Sequence, residues 1–219
     1  MTPTCPGILS LRETERALSL RLIYLAEPVI AVLVLLVLAP ILVLIAVVIT
    51  VLARCSPLVR HTRVGLRGSR LPMLKFRTMW EARHRWAPPF VIEEVAAPVP
   101  TAKNGGDHRI TSRFAAWCRR YSLDELPQLY HIARGEMSFV GPRPITRAEL
   151  DTYYGVRAEE VLSVRPGLTG LWQMKGRSHL SYSQRRRLDL FFVRSASPGL
   201  YLKILIGSIP KVLRGHGAC

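Results

Sequence analysis

Residues 28–53 read PVIAVLVLLVLAPILVLIAVVITVLA and contain no charged side chain. As a helix, the 24 residues 29–52 reach about 36 Å at about 1.5 Å per residue, which exceeds a bilayer hydrocarbon core of about 30 Å. A secretory signal peptide is a poor explanation, because the run is too long, begins too late and lacks a small-residue cleavage site. The run therefore predicts a membrane segment.

Pro40 lies near the middle of this run, where its missing N–H and its ring favour a kink. Basic residues flank the run on both sides, which suggests that both of its ends stay in the cytoplasm. They are Arg12, Arg16 and Arg21 before the run, and Arg54, Arg60, Arg63, Arg67, Arg70, Lys75 and Arg77 after it. A re-entrant hairpin bent at Pro40 satisfies this pattern, and an ordinary kinked anchor helix is the alternative. The prediction divides the chain into an N-terminal cytoplasmic segment (1–21), a membrane helix broken at Pro40 (22–53) and a cytoplasmic domain (54–219).

The charge of the chain predicts a polyanionic partner. Its 219 residues hold 31 Lys and Arg against 15 Asp and Glu, a formal net charge of +16. Nucleic acid, anionic lipid and a phosphorylated substrate all qualify, but a hydrophobic fraction of 49% and a mean hydropathy of +0.18 favour a membrane surface. The four cysteines show neither a C-x-x-C pair nor zinc-site spacing, so we interpret them as reduced and structural: Cys5, Cys55, Cys118 and Cys219.

The rest of the chain is typical of a mainly α fold with minor β structure. Residues 113–121 and 201–213 each combine apolar and basic positions, as in helices that lie in a lipid interface. A core-facing amphipathic helix of a soluble domain is the alternative for both. The Pro- and Ala-rich residues 87–106 predict a mobile loop.

Two adjacent carboxylates, Asp124 and Glu125, lie in SLDELPQL, residues 122–129. Ser122 followed by Glu125 is also the pattern of a capping box. Pro127 fits better as the first helical residue, which leaves both carboxylates in the turn before a helix N-terminus, a place that suits a phosphate. The residues alone give the functional and the capping interpretation similar weight.

Two further motifs place arginines beside glycine and proline. In GEMSFVGPRP, residues 135–144, two prolines hold the backbone around Arg143, as bidentate phosphate recognition requires. In RPGLTGLWQ, residues 165–173, and GR, residues 176–177, glycines permit close backbone approach to an anion. For Arg143, the alternative is a solvated surface turn. The ring of Trp172 could stack on a nucleotide base, and a buried core position is the alternative for this residue.

Together these residues resemble the monotopic phosphoglycosyl transferases, bacterial sugar transferases that begin glycan assembly on polyprenyl phosphate. The resemblance covers about residues 21–215, and it includes the proline-interrupted helix, KFRTM at 75–79 and the three motifs above in the family's order. It implies an α+β monotopic membrane protein whose compact catalytic domain and interfacial helices lie on the cytoplasmic face of the bacterial inner membrane.

The resemblance also implies a reaction. Asp124 would attack the sugar-bearing phosphorus of a UDP-sugar, releasing UMP, and a polyprenyl phosphate, undecaprenyl phosphate in a bacterium, would then take the phosphosugar. Glu125 would hold Mg²⁺. The remaining implied contacts are with phosphates, from Lys75, Arg77, Arg119 and Arg143, and with the nucleotide, from Arg165, Gln173 and Arg177. The product would enter exopolysaccharide, O-antigen or glycoprotein assembly.

Some residues depart from the family's pattern. Ala39 stands where serine usually precedes the helix-breaking proline, Tyr201 stands where an aspartate is expected, and Lys175 replaces a common asparagine. Glu27 represents the acidic residue of the first half-helix. The rival prediction is a membrane-anchored nucleic-acid-binding or scaffold protein, motivated by the charge and by the arginine run 185–187, but it gives the paired carboxylates no role.

Overall fold

The computed structural model describes residues 6–79, 92–94, 112–175 and 180–214, with side chains from residue 18 to residue 210. These residues form a mainly α fold with two small sheets, as predicted. The helices are α1 (Pro6–Ala53), α2 (Arg113–Arg120), α3 (Leu129–Ala133), α4 (Arg147–Glu149), α5 (Ala158–Val161), α6 (Leu171–Lys175), α7 (Tyr182–Ser195) and α8 (Pro198–Arg214). The strands are β1 (Leu58–Val64), β2 (Arg70–Phe76), β3 (Glu93–Glu94), β4 (Ser138–Val140) and β5 (Gly167–Thr169). Short 3₁₀ or π turns lie at Leu66–Gly68, Leu123–Gln128, Leu150–Tyr154 and Gly155–Arg157.

Helix α1 is a single helix of 48 residues with Pro28 and Pro40 inside it. Its segment Leu18–Ala53 is, among the described residues, the one helix long and apolar enough to cross a membrane. The predicted interruption at Pro40 is therefore wrong as a break in secondary structure, and the helix also passes residue 21 without interruption. A proline removes one backbone hydrogen bond and bends a helix, but neighbouring turns retain theirs, so the helix continues beyond it. The re-entrant path through a bilayer stays a prediction.

One stripe of α1 packs along the rest of the molecule. Successive parts of the stripe belong to three buried clusters. Leu20, Ile23 and Tyr24 share a cluster with residues of α8, and Ala31, Leu35 and Leu38 share one with residues of α3 and β2. Leu42, Ile45 and Ile49 share the third with Phe76 and residues of α2. The opposite stripe is exposed and apolar, including Leu25, Val29, Leu33, Leu36, Val37, Val43, Leu44, Val47 and Val51. A soluble protein rarely exposes such a continuous apolar surface, so this stripe is suited to lipid.

A buried carboxylate in α1 ties the helix to two other elements. Glu27 is 1% exposed, and its Oε1 accepts from Ser138 Oγ at 2.5 Å and from Phe139 N at 2.8 Å. The Tyr201 hydroxyl of α8 donates to the same oxygen at 2.5 Å. Three donors around Oε1 compensate for burying this oxygen beside the apolar run of the helix. Glu27 thus joins α1 to β4 and α8, and it meets the tyrosine that replaces the family's aspartate.

The basic segment after α1 folds into a β-hairpin that the sequence analysis did not identify. Strands β1 and β2 are antiparallel, and the edge strand β3 adds in parallel beside Val59 and Arg60. In β2, Leu71, Met73 and Phe76 are buried. The predicted mobile loop 87–106 is therefore wrong at Glu93–Glu94, which form β3, and apart from residues 92–94 it lies outside the described residues.

Strands β4 and β5 bring the two glycine-containing motifs together. They pair in parallel, with Ser138 opposite Gly167. A Cβ added to Gly141 would come within 2.5 Å of the Arg165 carbonyl oxygen and 2.7 Å of Gly167 N. Only glycine fits at this crossing, which fixes the backbones around Arg143 and Arg165 relative to each other.

The predicted interfacial helices each have a core side and an apolar exposed side. In α2, Ala115 and Cys118 are buried, while Trp117 is 48% exposed. In α8, Tyr201 and Ile204 are buried, while Leu202, Ile206 and Ile209 are exposed. The core-facing and the interfacial interpretations therefore both describe part of each helix. Cys55 and Cys118 are buried and form no disulfide bond, as predicted for reduced structural thiols, and Cys5 and Cys219 lie outside the described residues.

Candidate active site

Asp124 and Glu125 lie in the first turn of the 3₁₀ helix Leu123–Gln128, which leads directly into α3. The prediction that Pro127 is the first helical residue is wrong, since it lies inside this 3₁₀ helix and the α-helix begins at Leu129. The capping box is also absent, because Ser122 takes a left-handed conformation (φ 57°) and makes no side-chain cap.

The Asp124 carboxyl is 9% exposed. Burial, reinforced by the neighbouring Glu125 charge, raises the pKa of Asp124 to about 6, against the opposing effects of Lys75 and Arg119. Glu125 is more open, and its Oε1 accepts from Lys75 Nζ at 2.7 Å. The structure thus brings four of the predicted site residues together: a buried carboxylate, a more exposed one and two cations.

His131 holds the strand that carries Lys75, a role that the sequence did not reveal. Its ring is 2% exposed, and Nε2 accepts from the backbone N–H of Leu74 at 3.1 Å. Because Nε2 is an acceptor, the proton lies on Nδ1, which donates to Glu136 Oε2 at 2.6 Å. Lys75 follows Leu74 directly, so this bond fixes the position of the lysine.

Arg143 lies beside a second arginine and an aromatic surface. Its guanidinium is 5.1 Å from the centre of the Trp172 ring. Arg63, which is 8% exposed, approaches Glu149 to 3.7 Å. Burial lowers the pKa of Arg63, and the charges of Arg143, Glu149 and Glu125 all act on it. Arg63 therefore connects the carboxylate pair with the Arg143 region, although the sequence analysis counted it only as a flanking charge.

The other predicted contacts are placed differently. Arg77 is 4% exposed and its Nε donates to the Ser56 carbonyl at 2.8 Å, so part of its guanidinium supports the backbone. Arg165 lies near Tyr24 of α1, with Nη1 3.5 Å from the Tyr24 carbonyl oxygen. Gln173 donates to the Leu168 carbonyl at 3.1 Å. Arg177 lies outside the described residues, and the substrate contacts of all four stay predictions.

The carboxylate pair fits a magnesium ion that shares its ligands with a substrate. Among the described residues, no group of three or more His, Cys, Asp or Glu side chains is placed to hold a metal. Mg²⁺ commonly binds through one or two carboxylates together with substrate phosphates and water. Asp124 and Glu125 provide the two carboxylates, and the nearby Lys75 and Arg119 provide charges for a diphosphate.

Comparison with known proteins identifies the family to which the chain belongs. A family model described as bacterial sugar transferase matches residues 20–215. Exopolysaccharide production protein ExoY of Sinorhizobium fredii (strain NBRC 101917 / NGR234) is 43% identical over 161 residues, which cover 72% of this chain and 70% of that protein. UDP-glucose:undecaprenyl-phosphate glucose-1-phosphate transferase of Caulobacter vibrioides (strain ATCC 19089 / CIP 103742 / CB 15) is 36% identical over 188 residues, 82% of this chain and 65% of that protein.

A third relative is much longer than the matched region. UDP-galactose-lipid carrier transferase of Erwinia amylovora is 40% identical over 171 residues, 74% of this chain but 34% of that protein. The match thus spans about a third of that relative's length. The family model, by contrast, covers nearly all of the chain and includes every described residue of the carboxylate site. The chain belongs to the bacterial sugar transferase family.

Proposed function

We propose that this protein transfers a phosphosugar from a UDP-sugar to a membrane polyprenyl phosphate, producing polyprenyl diphosphate-sugar and UMP. The observation that carries the proposal is the Asp124–Glu125 pair, held beside Lys75 and Arg119. Two relatives support the substrate classes, because their names include a UDP-sugar and a lipid carrier or undecaprenyl phosphate. The product is a precursor of an exopolysaccharide or a related glycan, and the name of a third relative, an exopolysaccharide production protein, supports this class.

In the first step, an Asp124 carboxylate oxygen attacks the sugar-bearing phosphorus. A bond forms between this oxygen and phosphorus while the bond to the bridging oxygen breaks, and UMP leaves with that electron pair. No proton has to be removed from the nucleophile once it is ionised. Because the pKa of Asp124 is raised to about 6, the carboxylate is mostly ionised at neutral pH yet poorly solvated, and therefore reactive.

In the second step, a phosphate oxygen of the polyprenyl carrier attacks the same phosphorus, and the Asp124 carboxylate leaves unchanged. Lys75, Arg119 and Arg143 screen the phosphate charges in both steps. Glu125, with Asp124, would hold Mg²⁺, which neutralises the diphosphate when it is bound. Lys75 Nζ lies 2.7 Å from Glu125 Oε1, within reach of a diphosphate bound beside that carboxylate.

The replacement Asp124→Asn tests the nucleophile. We expect wild-type protein in detergent to acquire label from a UDP-sugar radiolabelled in its sugar and to release UMP, and Asp124→Asn to do neither. Asp151→Asn, at an exposed carboxylate outside the site, is the matched control and should label normally. Normal labelling of the Asp124 variant would exclude it as the nucleophile. A panel of UDP-sugars in the same assay identifies the sugar.

The proposal also places the catalytic domain on the cytoplasmic face, with α1 entering and leaving the bilayer on one side. The packing of α1 against the domain from Leu20 to Ile49 supports this arrangement. A helix that crossed alone would draw the polar surface of that domain into hydrocarbon. We expect Arg12→Cys and Arg60→Cys to be shielded alike from a membrane-impermeant thiol reagent in intact cells and to react after permeabilisation. Labelling of position 12 in intact cells would contradict the re-entrant path.

A further inference from the structure

A second pocket lies between the GPRP turn, the π turn Leu150–Tyr154, α6 and α7. It is partly open to solvent, and its enclosed part has room for little more than one water molecule, so a larger ligand would enter from the open side. Its wall includes two arginines, two carboxylates and two large aromatic side chains: Arg143, Arg185, Glu149, Asp189, Trp172 and Tyr182. The proposed reaction assigns a role only to Arg143 among them.

The pocket has an unused hydrogen-bond donor. Trp172 is 4% exposed, and its Nε1 is buried without a hydrogen-bond partner among the described residues. A buried N–H without an acceptor is costly, and a ligand oxygen in the pocket would satisfy it. The guanidiniums of Arg143 and Arg185 lie 5.1 Å and 4.9 Å from the Trp172 ring centre, so this wall attracts oxygen atoms.

The pocket also has an available acceptor. Glu149 accepts from the backbone N–H and the hydroxyl of Thr146 at 2.8 and 3.0 Å, and it approaches Arg63, all through Oε2. Oε1 therefore remains able to accept from a ligand. Asp189 is already engaged, since it is 2% exposed and accepts from the Tyr154 hydroxyl at 2.8 Å and from the Arg143 backbone N–H. Asp189 thus positions Arg143, and Glu149 is the carboxylate that a ligand can use.

This combination does not suit a simple phosphate, because carboxylates in the wall repel an anion. It suits a flat, uncharged ring that has carbonyl oxygens for Trp172 and the arginines and an N–H for Glu149. Uracil has two carbonyl oxygens with an N3–H between them. Cytosine has an unprotonated N3, which a carboxylate repels. The wall therefore distinguishes the two pyrimidines.

The pocket also lies near enough to the carboxylate pair to bind one end of the donor. Arg63 approaches Glu149 to 3.7 Å at the edge of the pocket, and it experiences the charges of both Arg143 and Glu125. A diphosphate beside Asp124 and Glu125 would extend past Arg63 and Arg143 toward the pocket. We propose that this pocket recognises the uracil base of the nucleotide donor, with the Trp172 indole N–H donating to a carbonyl oxygen and Glu149 accepting from N3–H. This assignment rests on the proposed function for the identity of the nucleotide.

Two substitutions test the assignment through equilibrium binding of UMP and CMP to the full chain in detergent. Trp172→Phe removes the N–H but keeps an aromatic ring, and we expect UMP to bind about three- to tenfold more weakly. Glu149→Gln keeps the capping box with Thr146, because glutamine also serves at that position, but it presents a donor as well as an acceptor. We expect this variant to bind CMP better, so that the preference for UMP falls about tenfold.

Trp117→Phe, at an exposed tryptophan of α2 outside the pocket, is the matched control and should bind UMP as wild type does. Melting temperatures establish that each variant is folded. Unchanged UMP affinity in Trp172→Phe, or an unchanged UMP preference in Glu149→Gln, overturns the assignment. The binding assay contains neither sugar donor nor lipid. If both substitutions change nucleotide binding as expected but Asp124 acquires no sugar label, the proposed function fails and the uracil pocket stands. If Asp124 is labelled but neither substitution changes nucleotide binding, only the uracil pocket is rejected.

Discussion

The buried Asp124 carboxyl is expected to affect the free energy of unfolding of the protein. Burial raises its pKa from 3.8 to about 6, so the folded state binds this proton more tightly than the unfolded chain does. Above pH 6 the ionised carboxylate therefore lowers the free energy of unfolding, and below about pH 4 it has no such effect. We expect Asp124→Asn to raise the free energy of unfolding at pH 7.5 by about 1–3 kcal/mol.

Thermal unfolding in metal-free detergent solution at several pH values measures this effect. The difference between variant and wild type should shrink as the pH falls from 7 to 4. Asp151→Asn changes an exposed carboxylate and should leave stability nearly unchanged. A loss of stability in Asp124→Asn at pH 7.5 would show that the carboxylate is a structural contact.

Asp124, Glu125 and Lys75 were predictable from the sequence because the motifs that contain them are specific, Arg119 followed from the family resemblance, and the structure brings the four together. His131 was not, since its bond to Leu74 joins residues 57 positions apart and leaves no local pattern. A single histidine on a short helix is more often a core residue than a functional one. Sequence motifs thus point to the proposed reacting groups more readily than to the groups that position them.

At the level of elements, Glu27 is expected to hold α1 against β4 and α8. Glu27→Leu leaves the Ser138 hydroxyl, the Phe139 N–H and the Tyr201 hydroxyl without their acceptor. We expect a loss of about 3–5 kcal/mol in the free energy of unfolding, because each buried donor left without an acceptor costs about 1–3 kcal/mol. Thermal or denaturant unfolding in detergent measures it.

A double-mutant cycle separates this contact from a packing effect. Tyr201→Phe should be destabilising in the wild-type background and much less so in Glu27→Leu, because its acceptor is already gone. Leu25→Ala, on the exposed stripe of α1, should have little effect on stability in detergent. Equal costs of Tyr201→Phe in both backgrounds would show that Glu27 does not bind that hydroxyl in solution.

The sequence predicted the long helix and α8 more successfully than the short elements. Apolar runs of helical length are visible without tertiary context, whereas the β1–β2 hairpin lies in a segment whose many arginines suggested only a basic stretch. The alternation of buried Leu71 and Met73 with less buried neighbours in β2 was a usable signal that was missed. Pro127 misled because proline suits the start of an α-helix and of a 3₁₀ helix equally well.

At the level of the whole molecule, the exposed stripes of α1 and α8 are expected to form one lipid-facing surface. The two helices pack together near Leu20 and Ile23, and α8 exposes Leu202, Ile206 and Ile209. We expect an environment-sensitive fluorophore on Ile206→Cys to shift to shorter wavelength with anionic vesicles and to be quenched by lipid-attached quenchers. Fluorescence in a background that carries serine in place of Cys5 and Cys219 measures this.

Glu159→Cys in the same background is the control, because this exposed acidic residue lies on α5, away from α8. Its fluorophore should remain accessible to water-soluble quenchers. Quenching from lipid at position 159 but not at position 206 would reverse the proposed orientation. The sequence indicated a membrane segment and basic flanks, but not that the domain packs along α1, because such packing depends on contacts far apart in the chain.

The bond between Lys75 and Glu125 has a consequence for the order of events at the site. The Lys75 ammonium lies 2.7 Å from Glu125, the more open carboxylate, so a divalent ion that binds there would compete with a group of the same charge sign. A diphosphate would give Lys75 another negatively charged partner. Lys75 would then release Glu125, which becomes able to bind the divalent ion. Binding of the donor should therefore increase the affinity for the metal, and binding of the metal should increase the affinity for the donor. The two should bind cooperatively rather than independently.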